Sequence, residues 1–127
     1  MASSGNAPPF GEDEPRQYQI EYAEAAQEEI EKAYLWRSSI TSPEAAARWA
    51  SGLRSAVDNL STMPYRYAAL PDDPLSRRLL YGSGQGAYRI IYRVVEPAEE
   101  GDNALVRILH VYHGARQGNF DVPNTDG

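Results

Sequence analysis

Cysteine is absent from the 127 residues, which removes disulfide frameworks, thiolate metal sites and cysteine nucleophiles together. Lysine is nearly absent: Lys32 stands alone, and every other cationic side chain is arginine. No apolar run approaches the roughly 18 residues that a membrane span needs. The N-terminus also lacks the charged-then-apolar layout of a secretory signal. These absences lead to the expectation of a soluble, cytoplasmic protein. Histidine is confined to His110 and His113. Three residues apart on a strand, they point to opposite faces, and no acid follows closely enough to complete a metal site. No Gly-x-x-x-x-Gly-Lys-Ser/Thr loop exists, and the Gly82–Gly86 run lies between two expected strands rather than before a helix, so it does not cradle a nucleotide. Neither a metal nor another cofactor is expected.

What is present suffices for one domain with a real core and is too short for two. The apolar fraction, 42%, is ordinary for a globular chain. The net charge of −6 speaks against an indiscriminate nucleic-acid binder, which is usually basic. Its distribution is uneven. Leu75 to Val95 holds Arg77, Arg78, Arg89 and Arg93 without one acid, and Asn103 to Phe120 adds Arg107 and Arg116, again without an acid. The carboxylates gather in the N-terminal residues, in the first expected helix and in the turn from Glu96 to Asp102.

Residues 1–16 (MASSGNAPPFGEDEPR) are rich in Ser, Gly, Pro and acid and have little to bury, so a disordered acidic tail is expected there. A domain spanning 17–117 follows, then a flexible tail, 118–127, in which Phe120 and Val122 are the apolar residues able to dock. Tyr18 to Tyr22 alternates apolar and polar, the period of a half-buried strand. Ala23 to about Ser38 reads as a helix, with Ala23, Ala26, Ile30, Ala33 and Arg37 on one side and Glu24, Glu28 and Glu31 towards water. Ser42-Pro43 opens a second helix, with serine as N-cap and proline in the first turn. Its apolar face is Ala46, Trp49, Leu53, Ala56 and Leu60, and it ends near Ser61. After a proline-punctuated loop, Arg77–Tyr81, Tyr88–Val95 and Ala104–His113 read as strands, the middle one rich in β-branched and aromatic residues. The order is β-α-α-β-β-β: an α+β fold with a helical hairpin on one face of a small, mainly antiparallel sheet.

Strand alternation sorts the side chains. Tyr88, Ile90, Tyr92 and Val94 should pack under the helices, leaving Arg89, Ile91, Arg93 and Val95 on the other face. In the last strand Val106, Ile108, His110 and Tyr112 are expected to share one face, with Arg107, Leu109, Val111 and His113 on the other; sequence alone does not say which set joins Arg89. Arginine's planar fork binds phosphate or carboxylate through paired hydrogen bonds and keeps its charge at any physiological pH. A face carrying Arg89, Arg93 and Arg78 therefore suits an anionic partner, either RNA phosphate or an acidic peptide segment.

The pair Ala87-Tyr88-Arg89-Ile90-Ile91-Tyr92-Arg93-Val94 and Val106-Arg107-Ile108-Leu109-His110-Val111-Tyr112-His113-Gly114-Ala115-Arg116 resembles the closing half of the RelE/ParE toxins of type II toxin–antitoxin systems. In that superfamily a Y-R-I-x-Y-x-V strand precedes a hairpin and a strand ending in H-G-x-R. The order of the earlier elements agrees, and the resemblance covers about Tyr18 to Gln117. It implies a growth-inhibiting, plasmid-stabilising toxin neutralised by a cognate antitoxin, with which it forms an oligomeric complex. Two activities divide the superfamily. ParE-like members inhibit DNA gyrase without catalysis of their own; RelE-like members cut mRNA on the ribosome. The long first helix, the single lysine and the net charge of −6 favour the ParE-like branch, since a protein entering the ribosome works among rRNA phosphates. Phe120 stands where RelE-like members carry a late tyrosine. Arg78, Arg89, Arg93 and Arg116 are then the expected partner-binding residues. In the endoribonuclease alternative Arg89, Tyr112, His113 and Arg116 are the catalytic candidates. A further alternative is a non-toxic corepressor that only binds its antitoxin.

Overall fold

A computed structural model describes residues 17–82, 86–99 and 103–113. The expected acidic tail, the C-terminal tail and Arg116 lie outside the described residues. Strand β1 (Gln19–Tyr22) leads into helix α1 (Glu24–Ile40), and helix α2 (Pro43–Asp58) follows after a two-residue link and runs on into a single 3-10 turn, Asn59–Ser61. Strands β2 (Ser76–Tyr81), β3 (Tyr88–Val95) and β4 (Leu105–His113) complete the domain. The sheet order is β1-β4-β3-β2. Both β2–β3 and β3–β4 are antiparallel, whereas β1 joins β4 in parallel.

The elements begin and end for local reasons. Ser42 is extended, and its Oγ accepts the Ala45 N–H at 3.0 Å, closing one orphan donor of α2 while Pro43 needs none. No side chain caps α1; its entry is fixed by the sheet instead, since Ala23 N–H donates to the Ile108 carbonyl at 2.8 Å. At the far end the Thr41 N–H and hydroxyl both donate to the Arg37 carbonyl, satisfying one of the last helical acceptors.

One layer of apolar side chains lies between the hairpin and the sheet. Ala26, Ile30 and Ala33 of α1 and Ala46, Trp49, Leu53 and Val57 of α2 are buried, as is Leu60 in the turn. The sheet contributes Leu79, Tyr88, Ile90, Tyr92, Val106, Ile108 and Val111. The loop between α2 and β2 is fastened to the same side: Tyr92 Oη donates to the Pro64 carbonyl at 2.7 Å, and Arg77 Nη1 donates to the Tyr67 carbonyl at 2.6 Å. Residues 68–70 of that loop also run along part of the outer edge of β2, with Leu70 N–H donating to Ser76 O and Arg78 N–H to Ala68 O.

The last strand departs from strict alternation. Tyr92 pairs with Ile108 but Ile91 pairs with His110, so Leu109 is skipped and β4 carries one extra residue. Such a bulge reverses the facing of everything beyond it. Val106 and Ile108 face the helices before the bulge, and Val111 and His113 face them after it. The expected set Val106, Ile108, His110 and Tyr112 is therefore split: His110 and Tyr112 join Arg89 on the open face, and His113 turns inward.

Candidate functional site

The sheet face away from the helices is the surface that gathers arginines. Read across the strands it falls into four rows: Val95–Leu105–Gln19, then Ser76–Arg93–Arg107–Glu21, then Arg78–Ile91–His110, and finally Leu80–Arg89–Tyr112. The second row is neutralised from within. Arg93 Nη2 meets Asp73 Oδ2 at 3.0 Å, and Arg107 Nε meets Glu21 Oε1 at 2.5 Å. Asp73 is anchored further by the Ser76 hydroxyl, which donates to it at 2.6 Å. That hydroxyl first, and then Arg93, holds the Asp73 carboxyl below its ordinary range.

Arg78 in the third row differs. Arg78 is exposed and its guanidinium has no acid partner among the described residues. Leu80 beside it is 54% exposed, although leucine usually hides. Ile91, Arg89 and Tyr112 complete a mixed patch in which two guanidiniums alternate with apolar and aromatic side chains. The imidazole of His110 stacks on Tyr112, with ring centroids 5.0 Å apart and planes at 13°.

Sequence reasoning missed Glu29. It sits on α1 where β4 runs past the end of β1 and loses its strand neighbour. Glu29 Oε1 accepts the Val111 N–H at 2.8 Å, and Oε2 lies 3.2 Å from His110 Nδ1. One carboxylate thus replaces a missing strand partner and orients a histidine. A signal existed: Glu29 is three residues after Ala26 and one before Ile30, at the margin of the buried stripe rather than opposite it. Its partner in β4 was hidden by the bulge.

The residues singled out from sequence thus separate. Arg78, Arg89 and Tyr112 come together on the open face, and Arg93 lies one row away in an ion pair with Asp73. His113 goes to the other side, edge-on to Tyr88 at 4.9 Å and to Trp36 at 6.1 Å. There Arg37 lies over the rings of Trp49 and Tyr88, at 5.1 and 5.8 Å, a cation–π bracket tying the end of α1 to α2 and the sheet. Among the described residues no group of three His, Cys, Asp or Glu side chains could hold a metal ion, and no helix is long and apolar enough to cross a membrane.

A helical hairpin on one face of a four-stranded sheet in this order, with arginines across the open face, defines a toxin of the RelE/ParE superfamily. The family model for the ParE toxin of the type II toxin–antitoxin system parDE matches residues 20–118, and the chain belongs to that family. Among solved structures it is similar to a chain of the chromosomal ParDE toxin–antitoxin system from P. aeruginosa, with a TM-score of 0.61 and 16% identity over 76% of this chain and 96% of that one. A chain of the RelBE2 toxin–antitoxin complex from Mycobacterium tuberculosis matches at TM-score 0.49 and 22% identity, over 79% of this chain and 94% of that one. No curated protein matches the sequence.

Proposed function

We propose that the protein is a cytoplasmic toxin that arrests growth by binding DNA gyrase, and that a cognate antitoxin neutralises it by forming a complex with it. The observation that carries this reading is the open-face patch of exposed Arg78 and Leu80 with half-buried Arg89, Ile91 and Tyr112 on a chain of the ParE family. Paired forks for carboxylates alternate there with apolar ground, which is the chemistry of a protein surface or an acidic peptide. A polyanion track would instead call for a continuous cationic stripe, and the next row, Arg93 and Arg107, is already paired with Asp73 and Glu21. Growth inhibition and plasmid stabilisation then follow from release of the toxin when its antitoxin is lost. The purified protein is expected to block gyrase supercoiling of relaxed plasmid DNA, and added antitoxin to restore it. Full supercoiling at large toxin excess would count decisively against the gyrase target.

One observation favours a second reading, cleavage of mRNA on the ribosome. The Glu29–His110 pair shares a face with Arg89 and Tyr112, so a base, a phosphate-binding fork and a phenol stand together. In that chemistry His110 takes the ribose 2′-OH proton, the 2′ oxygen bonds to phosphorus, and the P–O5′ bond breaks with a proton delivered to the leaving oxygen by Tyr112. Arg89 stabilises the charge developing on phosphate. Primer extension on mRNA from arrested cells separates the two: new 5′ ends support cleavage, and their absence removes it. A corepressor without toxicity is excluded if expression without antitoxin slows growth.

A further inference from the structure

We infer that the end of the domain where α1 stops holds an apolar carboxylate, taken by the guanidinium of Arg37 and the hydroxyl of Tyr88. The site lies on the helix side of the sheet, away from the Arg78 and Arg89 rows, and does not depend on the target proposed for them. Arg37 stands in the last turn of α1 and is half-buried. Its guanidinium lies over the rings of Trp49 and Tyr88, at 5.1 and 5.8 Å. Rings answer its charge, but they do not take up its N–H donors as an oxygen does. Among the described residues no carboxylate or other oxygen meets those donors. Other arginines are placed differently: Arg77 donates to the Tyr67 carbonyl, and Arg93 and Arg107 meet Asp73 and Glu21.

Tyr88 supplies a second, independent observation. It is 1% exposed, and its hydroxyl is the one buried side-chain polar atom without a hydrogen-bond partner among the described residues. Native folds leave few such groups, and one that persists marks a place for a water or an ion. Arg37 lies over the ring that carries this hydroxyl. Two donors without an acceptor, one of them charged, thus adjoin each other. The group they lack is an acceptor with negative charge.

The surroundings select the class of anion. A phosphate carries about 1.5 to 2 negative charges near neutral pH, and one guanidinium neutralises a single charge. The surplus would lie among Trp36, Trp49 and Tyr88, where an unpaired charge is costly. A carboxylate carries one charge, and its two oxygens match the guanidinium fork. Trp36 and Ile40, 40% and 56% exposed, share the last turn of α1 with Arg37 and provide apolar ground beside the fork. The ligand is therefore a carboxylate with an apolar body. A small aliphatic acid has that chemistry, and so does an acidic side chain flanked by leucines in a protein partner.

Both tryptophans of the chain, Trp36 and Trp49, border the site, so their emission reports on it without a label. Isocaproate titrated at neutral pH and constant ionic strength is expected to change that emission saturably, whereas isocaproamide and inorganic phosphate leave it unchanged. Arg37→Lys keeps the charge without the fork and should weaken binding roughly tenfold, the loss of one charge-assisted hydrogen bond. Tyr88→Phe should weaken it as well and leave the urea midpoint of the ligand-free protein unchanged, since the hydroxyl makes no bond within the fold. A capped leucine–glutamate–leucine tripeptide separates the two sources: tighter binding of isocaproate assigns a small ligand, and tighter binding of the peptide assigns a protein partner. No saturable change with either probe would overturn the inference. So would an equal response to isocaproamide or phosphate, or wild-type affinity in both folded variants.

Discussion

Arg77 and Arg78 are consecutive in sequence and lie on opposite faces of β2. Arg77 reaches under the α2–β2 loop, donates to the Tyr67 carbonyl at 2.6 Å and lies 4.9 Å over the Tyr65 ring. Arg78 projects from the open face. Arg77→Ala is expected to cost about 1–3 kcal/mol, the usual loss for hydrogen bonds from a charged donor. Arg78→Ala should stay within about 0.5 kcal/mol of the wild type, as exposed substitutions do. Urea unfolding of both variants checks the contrast. Tyr92 makes a similar point about burial. Desolvation first of all pushes its phenol up to about 12, against an ordinary value of about 10. A raised folded value holds the proton more tightly than the unfolded chain does. Its contribution to stability is therefore complete below about pH 10 and is lost as pH rises towards 12. Tyr92→Phe is expected to lower stability by about 1 kcal/mol at neutral pH and to flatten the decline above pH 10, read from urea midpoints across that range.

At the scale of elements, the bulge at Leu109 decides what the open face is made of. Most of the fold was legible because its signals are local and periodic. Ser42-Pro43 marks the start of α2, Ala26, Ile30 and Ala33 mark the buried stripe of α1, and Tyr88, Ile90 and Tyr92 alternate through β3. A bulge leaves no such mark. Nothing in Ile108-Leu109-His110 announces an extra residue, and one extra residue exchanges His113 for His110 at the site. The same blindness hid Val57, which takes the core place expected of the half-buried Ala56, because a one-residue shift on a helix face is within the width of its apolar stripe. Where β4 outruns β1, Glu29 substitutes for a strand. Glu29→Ala should remove the acceptor of a partly buried N–H and cost roughly 1–2 kcal/mol, with faster hydrogen exchange at the Val111 amide. Glu29→Gln keeps an acceptor and is expected to recover most of both; equal losses in the two variants would mean that the contact of the carboxylate with His110, rather than the backbone bond, fastens the edge.

Across the whole molecule the charge is divided by side. Acids line the outward face of α1, at Glu24, Glu28 and Glu31, and gather before residue 17, while the open sheet face keeps more arginines than acids. This separation was visible in sequence as two long stretches without a carboxylate. The pairing that silences part of it was not, because Asp73–Arg93 and Glu21–Arg107 join residues far apart in the chain. The rows of Arg78 and Arg89, supported from beneath by Ile90 and Tyr88 and from the edge by Glu29, are the part of the face on which the proposed function rests. The most direct measurement is the growth of a bacterial host after induction of wild type and of Arg89→Ala without antitoxin, together with circular dichroism melting of each purified protein. Growth arrest by the wild type, relief of that arrest in the variant and a melting midpoint near that of the wild type are the expected results. Undiminished arrest by a folded Arg89→Ala, or an unfolded variant, would contradict the assignment of this face as the one that acts.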